Sequence, residues 1–344
     1  MAAKKVTLAE IARQAQVGIA TVDRVLNNRA PVRPGTERKV LETARRLGFN
    51  LEQSHYRLVA GKSAVSLKMG FILLRESHSF YHLLSEALQQ HAAPYHHSQQ
   101  APIFIHHDIN AIEHTVAAIE QLSEQVDVIG LVALDNPLIR HAVEQAVARG
   151  VQVFTLFSDL SAPGRTGYIG MDNQKMGRTA AWAIDRMSRP DGDIGIIIGD
   201  NRFMCQETCE ISFRSYLREQ GKGRRVLEPV LGHEQQQQAF AVTERLLQQY
   251  PALTALYAPC GGVEGIIDAL RQYGRQQEVM LVCHGPVQGG ELALIDGSVD
   301  VMLSQRLDGL ATAVIRTFVN AALQTPGGFI SALQPFDIIT KENL

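Results

Sequence analysis

The chain has 344 residues, 45% of them hydrophobic and 20% charged, with a formal net charge of −2, the profile of an ordinary globular protein of two or three domains. No apolar run reaches the roughly 18 residues that a membrane span needs. The opening Met-Ala-Ala-Lys-Lys-Val-Thr lacks the hydrophobic stretch of a signal peptide, so a cytoplasmic protein is expected.

The near-neutral balance hides an asymmetry. Residues 1–62 hold twelve Lys/Arg and five Asp/Glu, a net +7, which leaves −9 on the remainder. A basic head on an acidic body predicts a polyanionic partner for the head. In that head Thr7 is placed to cap a first helix, with Glu10 three residues on as in a capping box. Leu8, Ile11, Ala12 and Ala15 share one face of that helix. Val17 starts a turn whose bend Gly18 is expected to allow. A second helix then buries Val22, Val25 and Leu26 and turns Ala20, Thr21, Arg24, Asn27 and Asn28 outward. A short helix with small and polar outward residues fits a DNA major groove. A third helix is predicted over Glu37–Leu47, with Val40, Leu41, Ala44 and Leu47 inward.

The stretch from Val6 to Phe49, with Ala-Thr-Val-Asp-Arg-Val-Leu-Asn at its centre and Val-Arg-Pro-Gly-Thr-Glu-Arg-Lys after it, resembles without gaps the headpiece of the LacI/GalR family of bacterial transcription regulators. The resemblance implies that Ile19, Ala20 and Arg24 read base edges, with Thr21 and Asn27 near phosphates. It also implies backbone contacts from Thr7, Leu8, Arg33 and Thr36. Gly18, at the start of the reading helix, and Asp23 stand where the family often has Ser. Residues 50–65 occupy the family's hinge, where Leu58 or Val59 is the candidate minor-groove wedge and Arg57 a phosphate contact. The expected organisation is a helix-turn-helix domain over 1–49, a hinge over 50–65 and a body over 66–344.

From Ser66 the pattern becomes apolar strands alternating with amphipathic helices. Strands are predicted at 67–74, 102–105, 126–134, 151–156, 194–199, 226–230, 255–258, 279–283 and 301–304. Continuous Val/Ile/Leu strands between helices imply parallel sheets covered on both faces. The length suggests two lobes. The run from Gly167 to Arg178 resembles the inter-lobe crossover of type I periplasmic sugar-binding folds. On that resemblance lobe one is about 66–167 plus 304–328, and lobe two about 168–303 plus 333–340. The expected fold is thus an all-α helix-turn-helix headpiece followed by a two-lobed α/β, periplasmic-binding-protein-like (type I) body with parallel sheets.

Ligands in open α/β sheets sit outside the carboxyl ends of the strands. In lobe one this rule selects Ser77, Ser79, Phe80, Tyr81, Asp135 and Asn136, then Ser158 and Asp159. In lobe two it selects Asp172, Arg202, Glu207, Cys209, Cys260 and Glu264, then His284 and Gln305. Phe80 and Tyr81 suit stacking on a sugar ring, and the carboxylates and amides suit hydroxyls. Asp135, Asn136 and Asp172 equally suit helix capping. A pocket Arg common in the family falls at Cys209, and a usual Asn-Asp pair is replaced by Pro259-Cys260, which argues against a simple sugar in the usual pose. The cysteines 205, 209, 260 and 283 fit reduced thiols; they read either as small buried hydrophobes or as a thiol or soft-metal sensor. His96-His97 and His106-His107 read as structural, because neighbours on a strand point to opposite faces.

No catalytic or cofactor motif stands out. The expected function is a non-enzymatic, cofactor-free, homodimeric regulator, a repressor by expectation. It binds double-stranded operator DNA and responds to a sugar, polyol or phosphosugar effector, with no metal and no membrane partner. The alternative is a solute-binding protein with no DNA-regulatory role.

Overall fold

The computed structural model describes residues 6–27, 32–47, 49, 67–75, 79–95, 101–323 and 328–344. Asn28, the expected hinge residues Arg57, Leu58 and Val59, and Ser77 lie outside them. The chain divides after Ser66 into two units. In the first, α1 (Leu8–Ala15), α2 (Ile19–Asn27) and α3 (Pro34–Arg46) enclose Ile11, Ala15, Val22, Leu26, Val40 and Ala44. Thr7 caps α1, its Oγ1 accepting from the Glu10 N–H at 3.3 Å. The turn into α2 is built differently from expectation. Gln16, not Gly18, takes the left-handed conformation, with φ 51°. The Gly18 carbonyl instead accepts from Thr21 N and Val22 N and so starts α2. The third helix begins three residues before Glu37, because Pro34 is preset for a first helical turn and the Arg33 carbonyl accepts from Thr36 N and Glu37 N.

The second unit holds two six-stranded sheets. The first contains β1 (Met69–Leu74), β2 (Ile103–His107), β3 (Val128–Leu131), β4 (Gln152–Leu156) and β5 (Gly167–Met171). The second contains β6 (Asp193–Ile198), β7 (Val230–Leu231), β8 (Leu253–Ala258), β9 (Met280–His284) and β10 (Val301–Ser304). The chain's last two strands divide between them: β11 (Ile330–Gln334) joins the first sheet beside β5, and β12 (Asp337–Ile339) joins the second beside β10. The orders are β11-β5-β4-β3-β1-β2 and β12-β10-β9-β8-β6-β7. β1 and β8 are buried along their whole length, as a parallel strand with helices on both faces must be.

Four details depart from the sequence reading. β12 runs antiparallel to β10, so the second sheet is not purely parallel. Residues 167–171 form an internal strand of lobe one rather than leading straight into lobe two. Its glycines allow close approach: a Cβ on Gly167 would lie 2.2 Å from the Ile330 carbonyl oxygen. The strand expected at 226–230 shrinks to a single bridge at Val226 and the pair Val230–Leu231, because Pro229 cannot donate to a ladder. Residues 330–334, with alternating exposure, belong to lobe one.

The chain therefore passes between lobes three times, at Asp172, at Gln305-Arg306 and at Pro335-Phe336. Helix Asn173–Met187 packs closely on helix Met204–Gln220 through Gly177, where a Cβ would sit 2.2 Å from the Cys209 carbonyl oxygen and 2.2 Å from Ser212 Oγ. Gly177→Ala is expected to destabilise lobe two by about 1–3 kcal/mol, since backbone on the facing helix must move. A urea melt of the variant checks this, and an unchanged midpoint would contradict it.

Candidate functional site

The head and the body each present a site. On α2, Ile19 is 55% exposed, Ala20 and Arg24 are exposed, and Thr21 is half-buried. These side chains lie opposite Val22, Val25 and Leu26, which face the head core. Thr7, Gly18 and Arg33 are exposed and Thr36 is half-buried, whereas Leu8 packs against the core. Asn27 ends α2.

In the body, a cavity of about 800 Å³ opens between the two lobes at the carboxyl ends of their strands. Its lobe-one wall is aromatic. Phe80 stands edge-on to Tyr81, with centroids 5.0 Å apart, and to Phe157 at 5.4 Å. Phe157 has φ 63°, an uncommon conformation for a bulky residue. Its N–H donates to the Ile169 carbonyl, and its own carbonyl lies 3.0 Å from the Tyr168 hydroxyl. Beside this wall Arg75 pairs with Asp108 at 2.8 Å. His107 Nε2 donates to the Val132 carbonyl at 3.0 Å, and Nδ1 accepts from the Thr115 hydroxyl at 2.8 Å. Burial lowers the His107 pKa and keeps the ring neutral.

The lobe-two wall is built around Glu234. It follows β7 in a left-handed pair, His233 with φ 53° and Glu234 with φ 59°. Gln206 Nε2 donates to one carboxylate oxygen at 2.8 Å and the Gly261 N–H to the other at 2.9 Å. Gln206 Oε1 in turn accepts from Gly199 N at 2.6 Å. Burial raises the Glu234 pKa against the lowering effect of those hydrogen bonds. His284 hydrogen-bonds the Tyr257 hydroxyl at 3.0 Å, and burial pushes its pKa down to about 3. Glu264 accepts from Gln288 N at 3.2 Å. Gln305 is 9% exposed, and its Oε1 is buried without a hydrogen-bond partner among the described residues.

Of the residues singled out in the sequence, Phe80, Tyr81, Cys209 and Cys260 line the cavity, as do Glu264, His284 and Gln305. Others are drawn elsewhere by local partners. Asp135 accepts from Arg140 and from the Ser161 hydroxyl. Asn136 and Asp172 cap the helices that follow them. Asp159 is held bidentately by Arg165 at 2.7 Å, and Arg202 bidentately by Asp200. Glu207 is exposed. Ser158 is buried and accepts from Cys205 N across the lobes at 3.4 Å. Ser79 begins helix Ser79–Ala92. Arg202 also bridges the lobes, Nη2 donating to Asn110 at 3.3 Å and its carbonyl accepting from Asp135 N. Arg75, Asp108, Phe157, Gln206 and Glu234 were not singled out.

Three of the four thiols, Cys205, Cys209 and Cys260, line the cavity. Burial pushes Cys205 up to about 12 and raises Cys209, Cys260 and Cys283 as well. Cys209 and Cys260 donate to the carbonyls of Asn173 and Ile197. Burial thus favours the thiol form, which attacks an oxidant less readily than the thiolate does. His106 reaches Ser85 while His107 turns to Val132 and Thr115, so the adjacent pair diverges. Among the described residues no group of three or more His, Cys, Asp and Glu is placed to hold a metal, and no helix is long and apolar enough to cross a membrane.

Two α/β lobes joined by three crossings, with a polar and aromatic cavity between them, make up a two-lobed periplasmic-binding-protein-like body. The chain belongs to the periplasmic binding protein domain family, whose model matches residues 69–325, and it carries at its N-terminus a domain of the lacI family of bacterial regulatory proteins, matched over residues 7–50. It is 31% identical over 140 residues to Catabolite control protein A of Priestia megaterium, covering 41% of this chain and 40% of that one. It is 36% identical over 90 residues to the HTH-type transcriptional regulator GalS of Salmonella typhimurium, covering 25% and 26%. The matched stretches thus span less than half of these relatives. An ABC transporter solute binding protein from Burkholderia graminis, solved in complex with D-arabinose, shares the fold with a TM-score of 0.73 at 19% identity, over 82% of this chain and 97% of that one.

Proposed function

We propose that the protein is a transcription regulator that binds operator DNA through its head and adjusts that binding to a small polyhydroxylated effector in the inter-lobe cavity. It works in the cytoplasm as a homodimeric repressor and catalyses no reaction. The observation that carries this reading is the pairing, in one chain, of a lacI-family helix-turn-helix with a binding body whose cavity is about 800 Å³, a volume typical of small-molecule sites. Ile19, Ala20 and Arg24 read base edges, and Thr7, Gly18, Thr21, Asn27, Arg33 and Thr36 hold the DNA backbone. Effector binding shifts the population between lobe arrangements, and that bias reaches the heads of the dimer.

A mobility-shift titration on promoter DNA tests the reading. Two heads making six or more phosphate contacts should lose roughly 1,000-fold in affinity or more between 50 and 200 mM salt. Retention of effector binding with no salt-sensitive DNA binding would instead favour a plain solute-binding protein. That second reading draws on the fold shared with the Burkholderia graminis solute binding protein.

A further inference from the structure

The cavity carries more negative than positive charge. Asp108, Glu234 and Glu264 line it, and Arg75 is its one Lys or Arg among the lining residues, already paired with Asp108 at 2.8 Å. Among the described residues neither Glu234 nor Glu264 makes a salt bridge. Of the three histidines that line it, His107 and His284 have lowered pKa values, stay neutral and supply no countercharge. A recessed carboxylate without a cation is costly unless a partner supplies one. Glu234 has one hydrogen bond to each oxygen, which leaves lone pairs for a further donor.

Two independent observations show what that donor belongs to. The aromatic wall of Phe80, Tyr81 and Phe157 lines the same cavity as Glu234. Aromatic rings and carboxylates that line one cavity form an environment that attracts an ammonium group. Gln305, nine-tenths buried in the cavity wall, holds an acceptor oxygen with no hydrogen-bond partner among the described residues, which an N–H or O–H of a ligand would satisfy. We propose that the effector is a hydroxylated amine, such as an amino sugar or aminocyclitol, whose ammonium is held by Glu234 and the aromatic wall and which donates a hydrogen bond to Gln305 Oε1. This deepens the regulator reading and rests on it. It also removes phosphosugars from the effector class, because a phosphate would meet unbalanced carboxylates.

The test is calorimetric titration of the full-length protein with matched probes: glucose, glucosamine and glucose 6-phosphate, then scyllo-inositol and scyllo-inosamine. At least one amine should bind tenfold or more tightly than its neutral counterpart, with the phosphate weakest. Glu234→Gln should abolish the preference, and Glu264→Gln, which leaves the Gln206–Gly261 cradle intact, should reduce it. Equal binding within every pair, including no measurable binding by any probe, overturns the proposal, as does a retained preference in both variants. A phosphosugar that binds the body and releases operator overturns the amine assignment while leaving the regulator reading standing. An amine preference without any change in operator affinity supports the assignment and overturns the regulator mechanism.

Discussion

Alanine at Phe318 is expected to destabilise the body by about 3–5 kcal/mol. The side chain is fully buried on helix Leu307–Leu323, stacks on Phe71 at 5.6 Å and packs tilted against Phe154 at 5.2 Å. Phe71 in turn stacks on Phe104 at 5.1 Å, so one ring deletion undercuts a row of four that crosses lobe one. Gly130 completes the fit, since a Cβ there would come within 3.1 Å of Phe318 Cζ. The surroundings are β-strands buried on both faces and have little freedom to collapse into the void. A calorimetric melt reads the loss as a fall of several degrees in Tm, and a change under about 1 kcal/mol would mean that the row does not hold the lobe as described. Phe318→Leu keeps most of the volume and should cost well under half as much.

Arg24→Ala should weaken operator binding by about 1–3 kcal/mol per head and relax discrimination at one base pair. Arg24 is exposed on α2, and its turn of helix is anchored from the other side by Val22, Val25 and Leu26. The substitution leaves the core packing untouched, so the melting of the protein should change by less than about 0.5 kcal/mol. Binding to operator and to unrelated DNA separates the two roles a cation can play. If Arg24 pairs with a guanine, its removal lowers operator affinity more than background affinity; if it holds a phosphate, both affinities fall alike. An equal fall on both DNAs would remove Arg24 from the base-reading set.

The head was legible nearly residue by residue, because a three-helix core in under fifty residues leaves each apolar position one place to go. The exceptions were the start of the third helix, at Pro34 rather than Glu37, and the turn, where Gly18 was the obvious bending residue and Gln16 carries the left-handed conformation instead. In the body, most strand positions followed from continuous apolar runs, but the strand at 167–171 and its lobe membership did not. The glycines of 167–171 read as a crossover, and only strand pairing shows that they let β11 approach β5. For the cavity, looking just beyond each strand found Phe80, Tyr81, Glu264 and His284. It missed Glu234 because β7 is two residues long and displaced by Pro229, so the strand end was placed too early. It passed over Phe157 in favour of Ser158 and Asp159, since nothing in the sequence announces a left-handed phenylalanine. The polar residues that turned aside, Asp135, Asp159 and Arg202, each had an ion-pair partner within six positions, a local signal that a nearest-neighbour search for charge would have caught.

The three inter-lobe crossings have a mechanical consequence. Two rigid plates held by a single strap can swivel freely, but plates held by three straps side by side can only nod. On the proposed reading, the three crossings of this body favour an opening and closing stroke over a free swivel. Gln305 is itself part of one strap, and its unfilled oxygen lies buried beside the cavity. On the proposed reading, a ligand group that donates to that oxygen touches the hinge itself, so filling the cavity and setting the angle between the lobes become one event.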